Sequence, residues 1–392
     1  MKVAVVAEFY PRRGDPVLGV WAHRQALATR AAGVDLHVLV LHRLVPPRAA
    51  LSAGAGGAAR TLGGLLREPL HQVHDGLPVT YVPYVSPPRE RSYASWGTWA
   101  APALALALRR LRRRFGFELI HAHNAVPAGD AVRRAGLDVP LVVSVHGGDV
   151  LYTASRQPGG REAVARGLGA ARLVLANSRG IARLAGTHGA RAVEVVHLGA
   201  DLPGPAAARS EPPTILTIGH LVARKRHADV LRALAVLAPR HAALRYVIIG
   251  DGPERIALEG LAARLGIAER VEFCGQLAHA AALERARRCT LFAMPSTEEA
   301  FGVAYIEAMA CGLPAIGCRG EPGPEEIAAA GDGFLLVPPG DIERLSQRIE
   351  ELLSDPQRLR EASRRARDTV AAYFTWERCG VQTAAAYVHA SR

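Results

Sequence analysis

Lysine is almost missing from this sequence: of 48 Lys and Arg residues, only Lys2 and Lys225 are lysine. Cysteine is scarce too. The five cysteines (Cys274, Cys289, Cys311, Cys318 and Cys379) all lie in the second half, and none form a CxxC pair. That excludes a zinc ribbon and a disulfide scaffold, and the odd number fits a reducing compartment. Long apolar runs are lacking. The stretch Trp99 to Leu108, ahead of an arginine cluster, falls well short of the roughly 20 residues a membrane-spanning helix needs. The N-terminal MKVAVVAEFYP reads as a strand, with no signal peptide expected before it. No GxGxxG follows that strand, where AVVAEFYPRRGDPVLG stands, and this disfavours a dinucleotide-dependent oxidoreductase.

What is present suits two globular domains: 392 residues, 49% hydrophobic and 21% charged, which excludes wholesale disorder. Residues 1–200 carry 25 Lys and Arg against 12 Asp and Glu, a net of +13; the remainder carry 23 against 24, a net of −1. One basic half and one neutral half suggest different partners. Short apolar runs alternate with helix-length amphipathic segments in both halves. Strands are predicted at Lys2–Ala7, Asp35–Leu41, Glu118–Ala122, Leu141–Val145, Arg172–Asn177 and Val193–His197, with helices such as Val20–Ala32 and Ala101–Phe115 between them. After LPGPAAARSEPP the alternation restarts at Thr214–Ile218, Arg245–Ile249, Val271–Cys274, Leu291–Ala293, Pro314–Ile316 and Phe334–Val337. Helices are expected at Glu254–Leu265 and Leu283–Arg288, and one or two more within Asp341–Phe374. This is the βαβ signature of two α/β, Rossmann-like domains with parallel sheets. The expected division is an N-terminal domain at 1–201, a linker at 202–213, a second domain at 214–374, and a helix at 375–392 packing back on the first domain. A ligand cleft is expected between the domains, beyond the carboxyl ends of the strands. The Gly/Ala-rich Ala49–Arg67 reads as a loop with part of a helix.

The most informative stretch is PSTEEAFGVAYIEAMACGLPAIG, residues 295–317. Gly302 permits close backbone approach just before a helix that Gly312 and Pro314 stop. The amides of Phe301, Gly302 and Val303 at that helix start form an anion site, bracketed by Glu299 and Glu307. Glu307 would accept hydrogen bonds from a ribose diol and Glu299 from another polyol. An acidic helix start that merely favours the helix dipole is the plainer alternative.

The pattern Glu299-x-Phe301-Gly302 followed by Glu307-Ala308-Met309-Ala310-x-Gly312-x-Pro314 resembles the E-x7-E region of family 4 glycosyltransferases, the retaining enzymes of GT-B fold. Three further stretches resemble the family in its own order. Gly219-His220-Leu221-Val222-Ala223-Arg224-Lys225 is similar to the donor-phosphate loop, Gly250-Asp251-Gly252-Pro253 to the G-x-G-P turn, and Gly331–Asp341 to N-G-x-L-V-P-P-G-D. In the first half, Gly19 stands where the family opens its first helix with a Gly-Gly loop. His121-Ala122-His123 and Ser144-Val145-His146-Gly147-Gly148-Asp149 resemble its H-x-H and T-x-H-G strand ends.

The resemblance implies a GT-B architecture whose first domain takes the acceptor and whose second binds a nucleotide-sugar, UDP-linked by family frequency. It implies donor contacts from Gly19, His220, Arg224, Lys225, Phe301, Gly302, Val303 and Glu307, with His146, Lys225 and Glu299 at the reacting centre. His123 and Asp149 would face the acceptor, with Tyr93 and Trp96 from the aromatic stretch Tyr81–Trp99, read as a loop. Zinc at His121 and His123 is a competing reading; two ligands at i,i+2 make a poor site, and a His123 simply packed at its strand end is the blander one. The family has Arg directly after the loop glycine, where this chain has His220; Arg224 is the candidate substitute. The implied reaction is front-face transfer of a hexose or N-acetylhexosamine, with no cofactor and no metal, since no DxD-type motif is present.

The acceptor is expected to be a natural product or nucleoside, or a lipid-linked envelope precursor. Arg109, Arg110, Arg112, Arg113 and Arg114 beside the Trp99–Leu108 run suit peripheral docking on an anionic inner-membrane face; an ordinary crossover helix is the alternative. A cytoplasmic bacterial enzyme is expected, with no nucleic-acid partner because no binding module accompanies the charge. A GT-B nucleotide-sugar epimerase and a non-catalytic sugar-nucleotide-binding protein are the alternatives.

Overall fold

The computed structural model describes residues 1–13, 15, 17–46, 48–52, 54–204 and 212–392, with the side chains at 48 and 49 also outside the description. Most of the expected linker, 205–211, therefore lies outside the described residues. Two compact units form: Met1–His197 with Trp376–Arg392, and Leu198–Thr375.

The first unit is built on β1 (Lys2–Ala7), β2 (Asp35–Arg43), β3 (His71–His74), β4 (Leu77–Tyr84), β5 (Leu119–His123), β6 (Leu141–Val145), β7 (Leu173–Ala176) and β8 (Val193–Val195). They form one eight-stranded sheet in the order β3-β4-β2-β1-β5-β6-β7-β8. Every pairing is parallel except β3 with β4. Strands β5, β6 and β7 are buried along their whole length. Helices on both faces exclude water from them, so β7 reads as an unbroken apolar run, and β5 and β6 depart from one only at His121, His123 and Ser144.

The hairpin β3–β4 was not expected. β4 carries Pro78 and Pro83, which argue against a strand inside a sheet, and β3 is the polar HQVH. The missed signal is Asp75-Gly76, whose positive φ angles (48° and 79°) make the two-residue turn that a right-twisted hairpin prefers.

Two expectations need correction here. The Gly/Ala-rich segment is helical over Arg48–Ser52 and Gly54–Arg67 rather than loop. The stretch 81–99 is no exposed aromatic loop: Tyr81 and Tyr84 end β4, and a Trp96–Phe115 helix begins inside it. Tyr93 and Trp96 are buried, at 5% and 4% exposure. That helix turns Trp96, Ala100, Leu104, Leu108 and Leu111 into the core and leaves its five arginines exposed. Most of its apolar face is thus spent on the core, while Trp99 and Leu106 stay exposed on the same helix as the arginines.

The Trp376–Ser391 helix completes this unit. Gln25 donates to Thr383 at 3.0 Å, and His121 bonds Tyr387 at 2.7 Å. A methyl group on Gly380 would stand 2.2 Å from the carbonyl oxygen of Ala28, so glycine is what lets this helix seat against Val20–Ala31.

The second unit carries β9 (Thr214–Ile218), β10 (Arg245–Ile249), β11 (Val271–Gly275), β12 (Leu291–Ala293), β13 (Ala315–Cys318) and β14 (Phe334–Val337), all parallel, in the order β11-β10-β9-β12-β13-β14. Ile215, Val230, Leu234, Tyr246, Ile248, Leu291, Ile316 and Ile349 fill its core. The charged segment resolves into two helices, Ile342–Leu353 and Pro356–Tyr373, opened by Asp341 and Asp355 whose carboxylates accept the first free amides. Each such cap contributes about 1 kcal/mol.

Candidate functional site

In each sheet the strand order reverses once, between β1 and β5 in the first unit and between β9 and β12 in the second. Connections leave such a point toward opposite faces, opening a crevice at the strands' carboxyl ends. Nearly every candidate residue sits at one of these two points.

In the second unit the loop after β9 runs Gly219–Arg226 and the loop after β12 runs Met294–Gly302. They are joined by a hydrogen bond from the Thr297 amide to the Arg224 carbonyl at 2.8 Å. Lys225 Nζ donates to Glu299 Oε2 at 2.5 Å, and Ser296 Oγ donates to the same oxygen at 2.9 Å. Arg224 lies 3.9 Å from it. Burial alone would raise the Glu299 pKa; the adjacent Lys225 and Arg224 outweigh that and hold it below its ordinary value. Glu299 is therefore an anion that fixes the ammonium in place, with two of the three Lys225 N–H donors left over for a ligand. His220 is exposed, and Arg224 rather than His220 turns toward this cluster.

Gly302, at φ 91°, begins the helix Val303–Ala310, and a methyl group there would stand 2.3 Å from the Tyr305 ring. Phe301 is buried edge-on to Phe374. The segment is braced by groups not singled out from the sequence. Glu321 accepts the Glu299 amide at 2.8 Å, the Gly323 amide donates to the Glu299 carbonyl at 3.0 Å, and Tyr305 bonds Ser296 and the Met294 carbonyl. Glu307 has a partner that was also missed: His279 Nε2 lies 2.6 Å from its Oε1. The Gly250-Asp251-Gly252 turn is explained by proximity as well. A methyl group on Gly250 would lie 2.0 Å from the Gly219 oxygen, and one on Gly252 would lie 2.5 Å from the Leu221 oxygen. The turn is the floor beneath the Gly219–Lys225 loop.

In the first unit Gly19 (φ 65°) opens the Val20–Ala31 helix, and a methyl group there would stand 2.2 Å from the Phe9 backbone. His123 and His146 stack with ring centroids 5.3 Å apart and share a 3.0 Å hydrogen bond between Nδ1 and Nε2. Trp21, missed from the sequence, covers His146 at 4.0 Å. Burial drives the His123 pKa down to about 3, and burial with the neighbouring imidazoles lowers His121 and His146 far below the ordinary value. All three rings are neutral near pH 7. His146 Nδ1 is buried without a hydrogen-bond partner, an omission that typically costs about 1–3 kcal/mol. Both nitrogens of His121 are taken, by Tyr387 and by Ser144 at 2.7 Å each, so the zinc reading of the His121–His123 pair is withdrawn. Among the described residues no group of three or more His, Cys, Asp or Glu could hold a metal ion.

Asp149 is buried and accepts the Ala125 and Val126 amides at 3.0 and 3.2 Å. Burial raises its pKa to about 7, with those amides acting in the opposite sense. Its carboxylate organises the backbone after β5 rather than reaching outward. Tyr93 donates to Glu8 at 2.6 Å, and Trp96 donates to the Pro87 carbonyl and Ser92. Of the expected acceptor-side residues, Tyr93 and Asp149 border one recess; His123 and Trp96 do not line it.

Two family models match consecutive parts of the chain, one described as Glycosyltransferase Family 4 over residues 18–203 and one as Glycosyl transferases group 1 over residues 202–369. The GDP-mannose-dependent alpha-(1-6)-phosphatidylinositol monomannoside mannosyltransferase of Mycolicibacterium smegmatis is 30% identical over 281 residues, 66% of this chain and 72% of that one. The chain belongs to the family 4 glycosyltransferases. This glycosyltransferase is also 27% identical to the N-acetyl-alpha-D-glucosaminyl L-malate synthase of Bacillus anthracis over 354 residues, 83% of this chain and 91% of that one. A segment of 156 residues is 36% identical to an exopolysaccharide phosphotransferase of Streptomyces coelicolor, of whose length it spans 16%. Among solved structures, the sucrose-phosphate synthase of Thermosynechococcus elongatus superposes with a TM-score of 0.77 at 21% identity, covering 99% of this chain and 98% of that one. Anabaena HepE, in complex with UDP and glucose, superposes at 0.71 with 20% identity, covering 99% and 100%. The glycosyltransferase has the two-domain GT-B fold.

Proposed function

We propose that this glycosyltransferase moves a hexose or N-acetylhexosamine from a UDP-sugar to an acceptor hydroxyl, with retention at the anomeric carbon and without a metal ion. The observation that carries the reading is the Lys225 ammonium held against Glu299, with Arg224 beside it, at the start of the Val303–Ala310 helix. Two cations and a helix N-terminus suit the charge that develops on a departing diphosphate. Glu307 is assigned the ribose hydroxyls and Glu299 Oε1 a sugar hydroxyl. The acceptor oxygen bonds the anomeric carbon on the face from which the phosphate oxygen leaves, and the acceptor proton passes to that phosphate oxygen. His146 is held neutral well below its ordinary pKa and is a poor proton acceptor, so its unpartnered Nδ1 is assigned a hydrogen bond to substrate.

UDP is supported by the UDP complex of HepE. A GDP-mannose donor is the second reading, favoured by the name of the mycobacterial relative. The two relatives are named for L-malate and for phosphatidylinositol monomannoside, so a small soluble acceptor and a lipid-linked one both suit the family. Peripheral docking is supported by the Gly54–Arg67 helix, where Leu62 and Leu66 are exposed one turn apart. No acidic residue occurs between Asp35 and Glu68. Among the described residues no helix is long and apolar enough to cross a membrane.

The test is thermal stabilisation and slow donor hydrolysis with UDP-, GDP- and ADP-sugars in the presence of EDTA. Stabilisation by one UDP-sugar is expected, and anomeric configuration of the product by NMR reads retention. A response confined to GDP-mannose selects the second reading. Failure of every nucleotide to stabilise the protein sinks both.

A further inference from the structure

The Trp376–Ser391 helix spends one face on the first unit and keeps an apolar stripe on the other. Val381 and Val388 are 55% and 49% exposed. Their spacing of seven residues is almost two whole turns, so both side chains stand on one line, with Ala384 and Ala385 between them. Beside the N-terminal half of that line, this helix and the Val20–Ala31 helix leave an open recess of about 510 Å³. Leu27, Ala28, Ala31, Trp376 and Val381 line it, and Glu377 stands at its border. Arg24 forms one wall, its guanidinium 5.7 Å over the Trp376 ring. Every one of these residues belongs to the first unit.

The face is complementary to itself. It carries a hole at one end and a projecting side chain, Val388, roughly 10 Å away at the other. An antiparallel copy, related by a twofold axis passing between Ala384 and Ala385, sets Val381 opposite Val388 and Glu377 opposite Arg392. Both ends of the contact then hold a valine beside a recess and an acid facing a base, and only alanines meet at the crossing. Small residues there let two helix backbones approach closely. No other antiparallel register opposes the valines and the Glu377–Arg392 charges together. His389 lies off this line, bonded to Glu194.

We propose that the outer face of the Trp376–Ser391 helix is the contact of a twofold-symmetric homodimer, in which Val388 of each protomer enters the recess of the other and Glu377 pairs with Arg392. Such a contact uses the same patch twice and closes at two copies. It is independent of the donor and acceptor assignments. Because the inner face of the same helix carries Tyr387, which bonds His121, dimerisation also holds in place the element that completes the first unit.

The test is sedimentation equilibrium of the full chain from about 1 µM to about 500 µM, since a patch of two helices sits at the small end of interface sizes. A monomer–dimer equilibrium with a Kd on the order of 10 µM is expected, and the melting temperature should rise along the same series. Val388→Asp changes an exposed residue, so the monomer should melt unchanged while dimerisation weakens about tenfold or more. Glu377→Arg and Arg392→Glu should each weaken it about threefold, and the double reversal should restore it, which loss of helix stability alone would not do. Under oxidation Ala385→Cys should give a covalent dimer that the wild-type chain does not. A single monomeric species throughout, or an unchanged Kd in Val388→Asp, overturns the proposal. A monomer whose Val388→Asp variant loses sedimentation with phosphatidylglycerol vesicles gives the face to a membrane instead, and overturns it too.

Discussion

Each unit has one switch point in a largely parallel sheet, and the two are filled with opposite chemistry. In the second unit the crevice residues are charged and paired, with Lys225 and Arg224 both within 4 Å of Glu299. In the first they are neutral, buried imidazoles and aromatic rings, with arginines confined to the rim. On the proposed function, the difference follows from what each would stabilise. A diphosphate carries its charge into the site and needs fixed cations. A sugar hydroxyl needs only an uncharged hydrogen-bonding wall, where a nearby fixed charge would instead bind water.

That contrast can be broken experimentally, beginning where the largest effect is expected. Lys225→Ala should lower kcat roughly 100- to 1,000-fold with little change in acceptor KM, the scale seen when one preorganised donor to developing charge is removed. Turnover within threefold of wild type would place the leaving group elsewhere. Glu307→Ala should weaken nucleotide binding by about 1.5–3 kcal/mol, the worth of hydrogen bonds to a charged group, with calorimetry against UDP as the readout. Gly252→Ala should cost stability on the order of 1–3 kcal/mol, because the added methyl group meets the Leu221 backbone. Its melting curve should recover on raising UDP if the turn is the floor of the phosphate loop.

Acid should separate the units. His121, His123 and His146 have folded pKa values below the unfolded 6.5, so the folded state binds fewer protons than the unfolded one. Their contribution is complete above pH 6.5 and is lost as pH falls toward about 3 for His123, at about 1.4 kcal/mol per pH unit for each ring. Tryptophan fluorescence should report unfolding of the first unit on acidification, and His123→Gln should flatten that slope. An unchanged slope would mean these rings protonate in place. The smallest effect is expected at Leu62→Ser with Leu66→Ser: both side chains are exposed, so stability should move by less than about 0.5 kcal/mol. Sedimentation with anionic vesicles should fall if this helix docks there.

The sequence made the second unit easier to read than the first, for a physical reason. Phosphate loops need glycine where backbones nearly touch, as Gly219 and Gly250 do, and such positions leave fixed spacings. The parallel strands were legible because burial on both faces makes them mostly apolar runs. The aromatic bracing of Arg89, the His279–Glu307 pair and the Glu321 bond to Glu299 join residues far apart in the chain, and no local pattern announces them. Tyr93 and Trp96 were noticed for their type and misjudged in their exposure, since composition says which rings are present and not which way a helix turns them. The two-residue Asp75-Gly76 turn was a local signal, outweighed by the prolines of β4.

The return of the Trp376–Ser391 helix to the first unit has a consequence in time. His121 and its partner Tyr387 stand 266 residues apart, and the intervening chain includes the whole second unit. A ribosome emitting this chain from its N-terminus therefore finishes the second unit while the first still lacks a helix. The usual order of domain maturation is reversed: the second unit can be folded before Tyr387 reaches His121 and completes the first.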